Sequence, residues 1–504
     1  MLRITYLLCA GLLASGCAVT TTPLTLEELK STKVLRQQAL MKDQEPIVRP
    51  ISLYEAMARA IKYNLDYRVQ LFEQALRASE TDLARVDLLP DLVANAGYNN
   101  RDNFSGSRSS ALLTSTTVGD QSLVPSTSSE RGVGNADLRL SWDILDFGLS
   151  YVRAKQSADQ ILIANERKRK VINRVIANVR TAYWRAVSAE RLVGRLKVLE
   201  SDIRSALASS EQSYLGRQTA PLAALTYQRE LLTIQQDIQS MEKDLMLSKM
   251  QLAALMNIDP SEEYQLVVPD RIEALEGIKL RPERLVDHAL QHRPELKELS
   301  YEQRINKREA NAALLEVLPN LSFFGGFNHN SNDFLFNNDW VNWGASTSWN
   351  ILNAYKYPKK KNLVEVNGAL LDQRALALTM AVITQVHVSA SQFEVAKRKL
   401  GTSKKFNSVN NNILEQTVAG HRTRKVSDQT LVRERMNQLV SEAKYDIAYA
   451  ELQNSYADIF SAVGQEVYGD IEANTATVDA LSEHLRGHWM KLKNAMAKAV
   501  KASG

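Results

Sequence analysis

Cysteine is almost absent from this chain. Its 504 residues hold two, Cys9 and Cys17. No disulfide can form beyond residue 17, so a chain of this length must be held by packing or assembly. Proline is missing between Pro125 and Pro221, and again after Pro358. An interior proline removes a helical hydrogen bond and clashes with the preceding turn, so such gaps are where long helices fit. Neither sign of charge dominates, with 62 basic against 57 acidic residues. That balance, with no dense basic run mixed with aromatics, gives no reason to expect nucleic acid. Beyond the N-terminus no segment approaches 18 consecutive apolar residues, so no spanning helix is expected. Chemistry is equally sparse. There is no glycine-rich phosphate loop after a strand, no metal-spaced His/Cys cluster and no nucleophile–base set. Catalysis, a cofactor and a bound metal are therefore not expected.

What is present begins with a targeting segment. Arg3 precedes an apolar run, Ile4 to Leu13, which is the length of a signal-peptide core. Ala14, Ser15 and Gly16 lead into Cys17. Residues 1–16 are read as a signal peptide and 17–51 as an extended arm.

The rest of the chain is written twice. Leu88-Leu89-Pro90-Asp91-Leu92 follows a long helical pattern and opens a strand pattern; Val317-Leu318-Pro319-Asn320-Leu321 does the same. Each is followed by a polar loop and a second strand. The endings are Ser141-Trp142-Asp143-Ile144-Leu145-Asp146 and Ser348-Trp349-Asn350-Ile351-Leu352-Asn353. A period of this kind marks a repeated structural unit. The first repeat spans 52–280, with strands at 92–100 and 136–145 and a helical hairpin over 150–256. The second spans 281–465, with strands at 320–329 and 341–351 and a hairpin over 358–463. Residues 466–504 form a tail with an amphipathic helix.

The strands alternate. Leu138, Leu140, Trp142 and Ile144 take one face; Asp137, Arg139, Ser141 and Asp143 take the other. Such a pattern fits a half-buried soluble strand, and equally a membrane-barrel strand with lipid on one side and a polar lumen on the other. Tyr98, Trp142, Phe327, Trp340, Trp343 and Trp349 lie near strand ends, as an interfacial girdle requires. The hairpins carry a coiled-coil step. Val175, Val179, Ala182, Ala186, Ala189, Val193, Leu196, Ile203 and Leu207 form one seam, broken only by Glu200.

These repeats, strand entries and hairpins resemble the TolC-type outer-membrane efflux proteins, in particular their lipoprotein branch. The resemblance implies a mixed, mostly α fold. Three chains would each give four strands to one twelve-stranded transmembrane barrel, continued by a long periplasmic α-helical barrel. It implies a lipid on Cys17. It also implies a homotrimer in outer-membrane lipid, working with a periplasmic adaptor and an inner-membrane pump. The family's tip motif falls on Leu215, Gly216 and Thr219 in the first hairpin and on Ala419, Gly420 and Thr423 in the second, which makes these the expected docking residues. Arg217 and His421 replace its apolar third position. Asp428 is the nearest acidic candidate for a gate. Efflux of small molecules is the first expectation, type I protein secretion the second, and a periplasmic coiled-coil scaffold the third. If the lipoprotein reading holds, the intact mass is that of a mature chain beginning at a lipidated Cys17, and Cys17→Ser abolishes palmitate labelling.

Overall fold

The computed structural model describes residues 22–40, 42, 44–107, 125–216, 220–259, 261–271, 280–469 and 477–501. The signal segment with Cys17 lies outside them. The chain is mostly helical. Two short helices open the first repeat, α2 (Leu53–Tyr63) and α3 (Leu65–Val86), preceded by α1 (Leu26–Leu40). The arm expected to be extended thus contains a 15-residue helix, none of whose residues is buried. Strands β1 (Asp91–Asn100) and β4 (Gly132–Asp143) follow, separated by a two-residue pairing of β2 (Gly106–Ser107) with β3 (Ser126–Thr127). Then come α4 (Ile144–Leu215) and α5 (Pro221–Leu255).

The second repeat runs α6 (Pro282–His292), α7 (Pro294–Leu315), β5 (Asn320–Asn330), β6 (Asp339–Ser348), α8 (Leu352–Arg422) and α9 (Asp428–Ala462). A tail helix, α10 (Val478–Lys501), completes the chain.

The two copies break their first helix at equivalent points. The helical pattern over 52–89 reads as one run, yet it divides at Asn64, and its counterpart divides at Arg293, 229 residues later. Both joints have the same extended backbone, φ −63° with ψ 128° and 127°. The chemistry differs. Asn64 caps α3 through its side chain, accepting from Tyr67 N at 3.2 Å. In the second copy Pro294 stands at the first position of α7, where its missing N–H costs nothing.

The long helices begin earlier than proline placement suggests. Pro358 lies seven residues into α8 rather than at its start. Strand β6 correspondingly ends at Ser348, three residues before the expected limit. By length and composition alone α8 contains a stretch able to cross a bilayer. It continues for 71 residues and packs along α9, so it belongs to a helical wall. At 1.5 Å per residue α4 and α8 are each about 110 Å long.

The main core lies where the short helices, the middle of α4, the ends of α5 and α9, and the tail meet. Ile51, Met57, Val179, Tyr183, Leu252, Phe393 and Tyr456 are buried there. The arm joins this core as a parallel bridge: Ile51 N donates to Gln265 O at 2.8 Å, and Val267 N donates to Ile51 O at 2.9 Å. A second core joins the two hairpins, with Leu196, Ile203, Leu231 and Ile238 against Val432, Met436 and Leu439.

The tail helix docks on α2 through Val478, Leu481, Leu485 and Trp489. Trp489 covers the buried Arg180 guanidinium, 4.3 Å from its ring. Burial pulls that guanidinium down to about 10, and its NH2 has one bond, to Gln453 O at 3.3 Å. The indole face offsets part of the cost of stripping water from a cation.

Glu45 ties arm to tail. Its carboxylate accepts from Val478 N at 3.1 Å, capping α10, and from Lys62 Nζ at 2.7 Å. Arg49 pairs with Asp479 beside it. Partial burial alone would raise the Glu45 pKa, but the bonds from Lys62 and the Val478 amide outweigh it and hold the group below 4.5. Its contribution is therefore complete above the unfolded value and is lost as pH falls through the depressed one. Glu45→Gln should cost about 1–2 kcal/mol and remove that acid dependence, read by thermal unfolding at pH 7 and below pH 4.

Candidate functional site

Register decides the character of the sheet. The four strands pair antiparallel in the order β1-β4-β5-β6, so the β4–β5 pairing joins the two repeats. Leu92 lies opposite Leu140, and Ala94 opposite Leu138. Leu138 lies opposite Phe327, and Trp142 opposite Phe323. Phe327 lies opposite Val341, and Gly325 opposite Trp343. Successive side chains point to opposite faces. These pairings therefore collect the apolar rows of all four strands on one face. Its large side chains are exposed in the protomer, Trp343 at 86%.

The other face is polar. Asn95 Nδ2 donates to Asp137 Oδ2 at 2.9 Å, Asn328 Nδ2 donates to Asn342 Oδ1 at 2.8 Å, and Asp143 accepts from Asn320 at 3.2 Å. One stack crosses three strands on this face. A Cβ on Gly344 would lie 2.8 Å from the Phe324 ring, which covers the glycine, and the Arg139 guanidinium lies 4.7 Å from the same ring. The ring shields a backbone that has no side chain of its own. Trp340 falls on the polar face, opposite Asn328, because alternation places it with Asn342. Trp349 lies beyond β6 and donates to Val317 O at 2.9 Å. These two thus depart from the girdle that was expected.

Beyond the strands, α4 with α5 and α8 with α9 form two hairpins. Leu215 ends α4 and is 72% exposed, and Gly216 caps it with φ −76°. Thr219 lies outside the described residues. At the second tip, Ala419 and Gly420 are in the last turn of α8, and Thr423 follows it. At this second tip Gly420 does not reverse the chain. That role falls to Arg424, at φ 57°, with Lys425 N donating to Gly420 O at 2.9 Å and Arg424 N to His421 O at 2.9 Å. This is a Schellman-type ending with arginine where glycine is usual. Gly420 is needed for space: a Cβ there would sit 2.6 Å from Val426 Cγ2.

Asp428 is exposed at the start of α9 and lies 2.6 Å from His421 Nε2. The sequence reading missed the ties between hairpins. Arg435 meets Asp202 at 2.6 Å, and Arg433 meets Glu230 at 3.7 Å. Higher up, the buried Asp446 receives Arg191 at 2.5 Å and Arg271 at 2.6 Å. Their partners lie up to 255 residues apart, so no local pattern exposes them.

No protein-family model matches the chain, and no curated protein sequence matches it. Its backbone does match solved channels. The CmeC outer-membrane channel of Campylobacter jejuni superposes with a TM-score of 0.63 at 15% identity, over 86% of this chain and 89% of that one. The chain has the TolC-type channel fold. The outer-membrane channel OprN gives 0.61 at 15% identity, over 82% of this chain and 89% of its own. The open state of the MtrE outer-membrane channel of Neisseria gonorrhoeae gives 0.58 at 15% identity, over 84% and 91%. Phe324→Ala uncovers Gly344 and leaves Arg139 unstacked. It should cost about 1–2 kcal/mol, measured as a lower denaturation midpoint of the folded protein.

Proposed function

We propose that this protein is an outer-membrane exit channel built from three copies of the chain. One observation carries the reading: a four-stranded sheet with a band of exposed apolar side chains across one face, a mostly polar opposite face and two edge strands, β1 and β6, that are unpaired on their outer side among the described residues. Unpaired backbone groups cannot sit in lipid, and four strands cannot close a barrel. Three copies give twelve strands, with lipid on the apolar rows and a polar lumen inside. Apolar stripes left uncovered on the protomer support the same assembly. Val69, Phe72, Leu76 and Leu83 line α3, and Leu363, Val366, Leu370 and Leu376 line α8. In a ring each stripe meets a neighbouring helix.

The helices then continue the conduit through the periplasm. The chain is anchored by a lipid on Cys17 after loss of its signal peptide. The tips around Leu215 and Gly216, and around Ala419, Gly420 and Thr423, dock a periplasmic adaptor, with Thr219 as a further contact. An inner-membrane pump supplies the energy, and the channel itself performs no catalysis. Small molecules are the cargo. Asp428 is the gate candidate, held by His421, and the Asp202–Arg435 bridge keeps the second hairpin against the first. Mass by light scattering and insertion of the purified protein into a planar bilayer test this. Three chains per particle with discrete conductance, raised by Asp428→Ala, are expected. A soluble particle that never inserts overturns the channel reading, and conductance indifferent to Asp428→Ala removes only the gate.

A further inference from the structure

The polar face of the sheet carries more acid than base. Among the described residues of its four strands, register places three carboxylates there, Asp91, Asp137 and Asp143, and one cation, Arg139. The two acids on β4 are engaged. Asp137 accepts from Asn95, and Asp143 accepts from Asn320 and Ser322. Arg139 is exposed, and no carboxylate pairs with it among the described residues. Its guanidinium lies over the Phe324 ring, 4.7 Å from the centroid. Phe324 stands opposite Ser141, whereas Asp137 stands opposite Asn328. The ring therefore draws the guanidinium along β4 away from its nearest acid. Stacking uses the face of the group and leaves its N–H edges free to donate.

Beside this cation the sheet has a gap. Arg139, Gly326 and Asn342 stand in one row across β4, β5 and β6. Two strand spacings put the backbones of Arg139 and Asn342 about 10 Å apart. Gly326 between them brings no side chain, and the backbone forbids one, since a Cβ there would lie 2.8 Å from Leu138 O. The Asn342 carboxamide borders the gap, with its Oδ1 3.4 Å from that same position. Asn328 Nδ2 donates to this oxygen at 2.8 Å, which fixes the amide and leaves its own N–H donors over. A guanidinium on one side and an amide on the other thus flank uncovered backbone. Both offer donors, and a planar pair of acceptor oxygens matches them.

We propose that Arg139, with Asn342, forms a recognition niche for a carboxylate group, repeated three times around the lumen. The inference rests on the channel reading, which makes this face the wall of the lumen. A guanidinium binds a carboxylate through two parallel N–H bonds, a geometry that an ammonium lacks. The gap over Gly326 admits the two oxygens, and Phe324 holds the fork that meets them. An organic anion entering a barrel lined otherwise by aspartates would be repelled along most of its path. At this one level it finds three niches and exchanges between them. Arg139 is therefore the residue that sets how the barrel treats carboxylate-bearing cargo.

The purified full-length protein is inserted into planar bilayers, with benzoate as the probe and benzamide as its neutral counterpart. Benzoate should reduce the single-channel current in a saturable way, and benzamide should not. Arg139→Gln should weaken the benzoate effect by about tenfold or more, as expected for loss of a charge-assisted pair. Arg139→Lys keeps the charge without the planar fork, so most of the effect should be lost there too. The reversal potential separates charge from shape. It is read across a KCl gradient of about 0.1 M against 0.01 M, where the Debye length is roughly 10–30 Å. Arg139→Gln should shift it toward the potassium limit, and Arg139→Lys should leave it in place. A benzoate effect undiminished in a conducting Arg139→Gln trimer overturns the niche. If that variant does not assemble, an undiminished effect in Arg139→Lys overturns it instead. Equal action by benzamide, or no action of benzoate on a conducting parent, does so as well. Each of these results leaves the channel reading standing. A protein that never conducts overturns the channel reading and the niche together.

Discussion

Every other feature of the structure depends on the unpaired backbone at the two edges of its sheet. Inside the sheet each strand satisfies its neighbours, and the register gathers most of the large apolar residues on one face, with Phe324 and Trp340 on the other. At β1 and β6 the outer edge has no strand partner among the described residues. An exposed edge is a liability in water and is not tolerated in lipid. The proposed trimer would pair these edges and cover the apolar stripes left exposed on α3 and α8.

Two kinds of adhesion divide the helical part. Within each hairpin, and between the hairpins along Leu196, Ile203, Met436 and Leu439, the contact is apolar and continuous. Beside these apolar contacts run discrete ionic ties. Asp159 is buried and holds Arg304 and Arg308 of α7 against α4. Asp446 does the same for α9, α4 and the linker at Arg271. Toward the tips the bridges become exposed, as at Asp428. Exposed pairs are worth little and exchange readily, whereas breaking a buried pair strands a charge. The structure is thus firm around its main core and more easily rearranged at its hairpin tips.

Duplication does not impose identical solutions. The helix break recurs at the same offset, but Asn64 uses a side-chain cap and Arg293 is followed by a proline. The second-strand signature recurs, yet Trp142 is within β4 while Trp349 is beyond β6. Backbone geometry is kept by the repeat, and each copy satisfies it with different side chains.

Much of this fold was legible because it is periodic. Alternation with period two needs only adjacent residues, so Leu138, Leu140 and Trp142 declare a strand face by themselves. Heptads declare the seams of α4 and α5 in the same way. Helix ends were less legible: Pro358 sits inside α8, and Arg424 rather than Gly420 turns the second tip, because capping depends on a few local backbone angles. The pairings of Asp202 with Arg435 and of Asp446 with Arg191 were not legible at all. By itself the sequence determined the repeat, the amphipathic strands and the long helices, since each is a local pattern. Only the tertiary structure decided that four apolar rows share one face and which charges meet across the hairpins. Those depend on register and on contacts between residues far apart in the chain, and chain connectivity alone carries no record of them.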